Sequence, residues 1–95
     1  MDDQTFKRFF DKVELDAEGC WMWVGGVAGG YGAIWNGRGH DRAHIVSYDH
    51  FRGPYVKVRR MVLDHTCKKK LCVNPWCLEH ITQAVNMQRA YAHRR

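Results

Sequence analysis

The chain is poor in the features that mark large, exported or membrane-bound proteins. It has no apolar run near the length that crosses a bilayer, and Met1-Asp-Asp-Gln-Thr5 lacks the basic and apolar stretches of a secretory leader. The expectation is a soluble, cytoplasmic protein without a membrane partner. No low-complexity tract, internal repeat or linker interrupts it, so residues 1–95 read as one domain. Its nine glycines include no Gly-Lys-Ser/Thr sequence and no βαβ unit surrounds them, which excludes a phosphate-binding loop and leaves them as turn residues. Length is scarce as well. A chain of 95 residues buries too little apolar surface to be comfortable, and a disulfide or metal staple is expected. In a reducing compartment its four cysteines more often hold metal than pair.

Acidic residues are few where basic ones gather. Fifteen Lys and Arg face ten Asp and Glu, a net charge of +5, and the excess sits late. Between Val56 and Lys70, the cations Lys57, Arg59, Arg60, Lys68, Lys69 and Lys70 meet one acid, Asp64. Arg89, Arg94 and Arg95 add to the C-terminal end. A basic face is the footprint of a polyanion binder. Charge alone equally allows the solvated surface of a mildly basic protein.

Phe6, Phe9, Phe10 and Val13 recur at helical spacing behind Asp2 and Asp3, which predicts an amphipathic helix over 3–14 with those residues in the core. Asp16 to Gly19 reads as a turn into Cys20. Aromatic-rich stretches, Trp21 to Val24 and Tyr31 to Trp35, are broken by Gly25-Gly26 and Gly29-Gly30, and Asn36-Gly37 is a hairpin signal. These predict a small antiparallel sheet of two or three strands. Ala43 to Phe51 reads as a short helix stopped by Gly53-Pro54, and Met61 to Asp64 as a short strand. Thr66 to Pro75 is a lysine-rich loop, and Thr82 caps a closing helix over Gln83 to His93. The expected division is 1–19 helix and turn, 20–60 sheet and short helix, and 61–95 the segment holding the chemistry. Trp21, Trp23 and Trp76 are expected in the core.

Cys67, Cys72 and Cys77 form a Cys-x4-Cys-x4-Cys series, with Cys20 upstream. Four thiolates around Zn²⁺ would close a structural site with no open position. The rival readings are reduced core cysteines or two disulfides. A filled zinc site is scaffold, so chemistry must come from elsewhere. Asp64-His65 ends the apolar strand, and Asn86 lies in the first turns of the closing helix. A strand, a loop and a helix can bring them together. Carboxylate and amide oxygens suit a hard ion such as Mg²⁺, and a neutral histidine beside it is a natural general base. His44 is read as structural, with contact to DNA or to the cysteine loop as the rival.

Leu63-Asp-His-Thr-Cys67, Cys72-Val-Asn-Pro-Trp-Cys-Leu-Glu79 and Thr82-Gln-Ala-Val-Asn86 resemble the HNH endonuclease pattern of phage and intron-encoded nucleases. The spacing is close to that of the His–Cys box homing endonucleases. Gly19-Cys-Trp-Met-Trp23, Gly30-Tyr-Gly32 and Ala43-His44 resemble segments that precede the box in small phage members, so the likeness runs from about Cys20 to Asn86. It implies an α+β fold with a ββα-metal (His-Me finger) core, in which His65 activates water. Asn86 and Asp64 would hold Mg²⁺ or Mn²⁺, and Cys20, Cys67, Cys72 and Cys77 a structural Zn²⁺. Cys77 departs from the commoner His or Asn before Leu-Glu. The group orienting His65 must therefore lie elsewhere, such as a backbone carbonyl between Cys72 and Asn74. The resemblance also implies Arg42 near the scissile phosphate. The segment Tyr31 to Arg42 would meet double-stranded DNA through Asn36, Arg38 and Arg42, with Lys68, Lys69, Lys70 and Arg89 on the backbone. A monomer would nick and a homodimer could cut both strands. The alternatives are a catalytically silent zinc-stabilised DNA-binding module and a structural zinc protein acting through partners.

Overall fold

Asp2 sets the start of the first helix: its carboxylate accepts the Thr5 amide at 2.8 Å and caps helix α1 (Asp3–Asp11). A computed structural model describes residues 1–93, with side chains described through Arg89, so Arg94 and Arg95 lie outside the described residues. It is a small α+β structure of three helices and small antiparallel sheets. Helix α1 stops earlier than the apolar spacing predicts. The Lys12 amide turns back to the Phe9 carbonyl, and Val13 enters strand β1 (Val13–Leu15), which pairs antiparallel with β2 (Trp21–Trp23). A helix with a strand appended can keep the same residues near one core, so helical spacing alone misplaces its end. Of the three phenylalanines only Phe9 is fully buried; Phe6 and Phe10 are more than a third exposed.

The β1–β2 turn is built by Asp16, whose carboxylate accepts the amides of Glu18 and Cys20, with Gly19 at positive φ. Strands β3 (Val27–Ala28), β4 (Tyr31–Trp35) and β5 (His40–Arg42) form a three-stranded sheet, but the tryptophan strand expected in it pairs with β1 instead, in a sheet of its own. Ala28 pairs with Tyr31, so Gly29 and Gly30 alone make the turn, both at positive φ. A two-residue hairpin of this kind needs that conformation twice, and glycine reaches it freely. Gly32 serves packing instead: a Cβ there would lie 2.6 Å from the Trp23 ring.

Helix α2 (Ala43–Arg52) buries Ala43, His44 and Ser47. Strand β6 (Met61–His65) pairs along its length with β7 (Leu78–Thr82), from Met61 opposite Thr82 to His65 opposite Leu78. Helix α3 (Gln83–His93) follows at once, and the Thr82 hydroxyl accepts the Val85 amide. Strand β7 is not evident from its residues, since only Leu78 and Ile81 are buried and Glu79 and His80 sit between them. The loop joining β6 to β7 is held from two sides. Its Leu71 carbonyl and Val73 amide pair with β2, the Ser47 hydroxyl donates to the Val73 carbonyl at 2.6 Å, and Arg52 donates to the carbonyls of Pro75 and Leu78. Phe9, Trp23, Ile34, Ala43 and Val73 form the buried centre. Trp76 does not join it: 65% of it is exposed, on a 3-10 turn (Pro75–Cys77) that the Asn74 side chain caps. Among the described residues no helix is long and apolar enough to cross a membrane.

Candidate functional site

Cysteines from two distant segments converge. Cys20 follows the Asp16 turn, and Cys67, Cys72 and Cys77 lie on the β6–β7 loop. Their sulfurs all lie within 4.8 Å of one another, and none is in a disulfide. Zn–S bonds of about 2.3 Å in a tetrahedron place sulfurs roughly 3.8 Å apart, so this cluster can hold a zinc ion. Burial pushes the Cys20 thiol up to about 12, reinforced by the hydrogen bonds it donates to Cys72 and Cys67; burial likewise raises Cys72 and Cys77 to about 11. These groups stay protonated at neutral pH unless a cation compensates them, as a divalent metal does. Polar contacts sew the two segments together. Lys69 Nζ meets Asp16 at 2.6 Å and Glu18 at 3.3 Å, and the Asn74 side chain donates to the Gly19 carbonyl at 2.8 Å.

Beside this cluster lies a cleft of about 810 Å³ whose walls include Arg42, His44, Asp64, His65 and Asn86. His65, the last residue of β6, is 7% exposed, and its Nε2 lies 3.0 Å from the Cys72 carbonyl oxygen. A carbonyl only accepts, so Nε2 carries the proton and Nδ1 keeps its lone pair. Burial lowers the His65 pKa below the ordinary histidine value and the Lys70 charge acts in the same sense, against the Cys72 carbonyl and Asp64. The imidazole is neutral at neutral pH. The same residue, Cys72, therefore offers its sulfur to the thiol cluster and its carbonyl to the histidine.

Asp64 stands opposite Glu79 in the β6–β7 register. Like charges so placed repel, and Arg89 from α3 relieves this by reaching both, 3.4 Å from Asp64 Oδ2 and 3.1 Å from Glu79. The contact also fastens α3 to the hairpin, which brings Asn86 to the cleft. Aromatic rings back the histidine. His44 lies 4.7 Å from His65 between ring centroids, and Tyr31 stacks on both at 5.1 and 5.9 Å. The Arg42 guanidinium and the Lys70 ammonium lie over the Tyr31 ring at 4.6 and 5.6 Å.

The cations expected to meet phosphates divide into two sets. Arg42, Lys68 and Lys70 line the cleft, joined there by Lys57. Lys69 is occupied by Asp16 and Glu18, and Arg89 by Asp64 and Glu79. Asn36 uses its side chain within its own turn, donating to Asp41 and accepting the Arg38 and Gly39 amides. Arg38 is exposed at that turn. Residue spacing could not separate these sets, because it does not reveal that the Asp16 turn packs on the lysine loop. Tyr31 and His44 were marked in sequence by the Gly30-Tyr-Gly32 and Ala43-His44 segments, which do not reveal that their rings stack beside His65. No protein-family model, curated protein or solved structure matches the chain.

Proposed function

We propose that the chain is a metal-dependent DNA endonuclease of the HNH (His-Me finger) kind, with β6, the cysteine loop, β7 and α3 as its ββα-metal core. One observation carries this reading. A buried neutral histidine, its Nε2 proton held by the Cys72 carbonyl, shares a cation-lined cleft with Asp64 and Asn86. Held in this way, His65 takes a proton from water at Nδ1. The water oxygen bonds to phosphorus in line, and the bond from phosphorus to the 3′-oxygen breaks. Arg42 stabilises the charge on the phosphate from the cleft wall.

The Asp64 carboxylate and the Asn86 amide oxygen form a hard donor pair that would hold one Mg²⁺ or Mn²⁺. When bound, such an ion polarises the phosphate and stabilises charge on the leaving oxygen. Cys20, Cys67, Cys72 and Cys77 would hold a structural zinc and keep the Cys72 carbonyl in place. Double-stranded DNA is the proposed partner, approached by Lys57, Lys68, Lys70 and the β4–β5 hairpin. A cytoplasmic location goes with this reading.

The test is cleavage of supercoiled plasmid by purified protein with and without Mg²⁺, beside His65→Ala. The expected result is metal-dependent nicked or linear product from the wild type, lost in the variant. Identical products from both proteins refute the catalytic reading. DNA binding without cleavage by either would favour a silent zinc-stabilised binding module.

A further inference from the structure

The geometry points to Tyr31 as a positioning residue of the cleft: its ring stacks on His65 and carries Arg42, so one aromatic plate sets both the plane of the base and the place of the phosphate-binding cation. The inference rests on the endonuclease reading above and goes beyond it, because that mechanism gives Tyr31 no role.

Three observations carry it. Tyr31 lies nearly parallel to both cleft histidines, with interplanar angles of 27° to His44 and 23° to His65. Among the described residues His65 has a single hydrogen bond to hold its ring, the Nε2 contact to Cys72. One bond leaves the imidazole free to swing about the axis through that nitrogen, and a stacked ring removes this freedom. The two cations over Tyr31, Arg42 at 4.6 Å and Lys70 at 5.6 Å, come from different segments and have no carboxylate partner within salt-bridge distance among the described residues. Attraction to the negative face of the ring holds them in the cleft while leaving their donors available to a phosphate.

Tyr31 is itself fixed by backbone. It is the first residue of β4, directly after the Gly29-Gly30 turn, with Ala28 as its antiparallel partner. The ring's edge position at the hairpin thus follows from the turn, and the contacts of a ring rather than of a hydroxyl define its work. Phenylalanine should replace it and an aliphatic side chain should not.

The experiment compares wild type, Tyr31→Phe and Tyr31→Leu in plasmid nicking at saturating Mg²⁺, with zinc content and thermal melting measured on each protein. In Tyr31→Leu kcat falls about 10- to 100-fold while KM moves less, as misplacement of a base within a bound complex does. Tyr31→Phe stays within about threefold of wild type, since the ring face is kept. Tyr31→Leu at wild-type kcat, or Tyr31→Phe as slow as Tyr31→Leu, overturns the proposal. If Tyr31→Leu loses zinc or its cooperative melt, Tyr31→Met takes its place with the same expectations. The imidazole NMR signals of His44 and His65 give a readout independent of cleavage: their ring protons move downfield in Tyr31→Leu and stay in Tyr31→Phe. Unmoved signals in Tyr31→Leu overturn the positioning role. A wild type that does not cut refutes the endonuclease reading instead, and these signals then decide the positioning role alone.

Discussion

His44→Phe should make the protein more resistant to mild acid. His44 is 3% exposed and its Nδ1 is buried with no hydrogen-bond partner among the described residues. Burial, reinforced by the charges of His65 and Arg42, lowers its pKa from 6.5 to about 3. Above pH 6.5 the imidazole is neutral in the folded and unfolded states, and pH has no leverage through it. Below 6.5 the unfolded side chain binds a proton that the folded one refuses, so stability falls as pH falls, down to about pH 3. Between pH 7.5 and 5.5 this one group removes about 1.4 kcal/mol, equivalent to roughly 6–11 °C in melting temperature for a domain of this size. Phenylalanine keeps a flat ring against Tyr31 and cannot take the proton. The assay is urea unfolding followed by tryptophan fluorescence at pH 7.5 and 5.5 in saturating Zn²⁺, on wild type and His44→Phe. Proton competition at the thiols is common to both proteins and cancels in the comparison. The wild type should lose about 1.4 kcal/mol more than the variant over this interval. Equal losses would mean that folded His44 accepts the proton, and the buried, neutral account of it would be wrong.

The three loop lysines should separate in DNA binding measured against salt. Lys68→Gln and Lys70→Gln each flatten the log–log salt slope by about one, while Lys69→Gln leaves the slope unchanged. Lys69→Gln should instead weaken zinc binding, because it unfastens the Asp16 turn that carries Cys20; equal slopes for all three variants would contradict the assignment. Arg52→Met removes the donors to the Pro75 and Leu78 carbonyls and should cost about 1–3 kcal/mol in urea unfolding, with wild-type stability counting against that clasp. A strong chelator at neutral pH should abolish the cooperative melt, and added Zn²⁺ should restore it. A melt unmoved by the chelator would exclude the cysteine cluster as a metal staple.

What the sequence made legible was local. The acids at the start of the first helix, the Asp16 turn, the Asn36-Gly37 hairpin, the helix after Ala43 and the helix after Thr82 each announce themselves within a few residues, and each is present. The cysteine spacing with Cys20 likewise pointed to one cluster, and the sulfurs meet. Elements that depend on distant partners were harder. Val13–Leu15 becomes a strand because Trp21–Trp23 lies beside it, although its apolar spacing continues the helix. Leu78–Thr82 is a strand because β6 pairs with it across a long loop, which no hairpin signal marks. Charge gave the least. Arg89 and Lys69 count equally with Lys68 in composition, yet carboxylates from other segments occupy both, and only the fold could show it.

The split origin of the cysteines has a consequence for the order in which the chain can assemble. Cys67, Cys72 and Cys77 share one short loop, so three ligands gather almost as soon as β6 meets β7. Cys20 must close a loop of roughly 50 residues, at a chain-entropy cost of about 3.5 kcal/mol before any contact rewards it. If the cluster holds zinc, the C-terminal hairpin would offer it three thiolates first, with an exchangeable fourth position. Arrival of the tryptophan strand with Cys20 would then close the site. The metal's off-rate, rather than its affinity alone, would report whether the N-terminal half has docked.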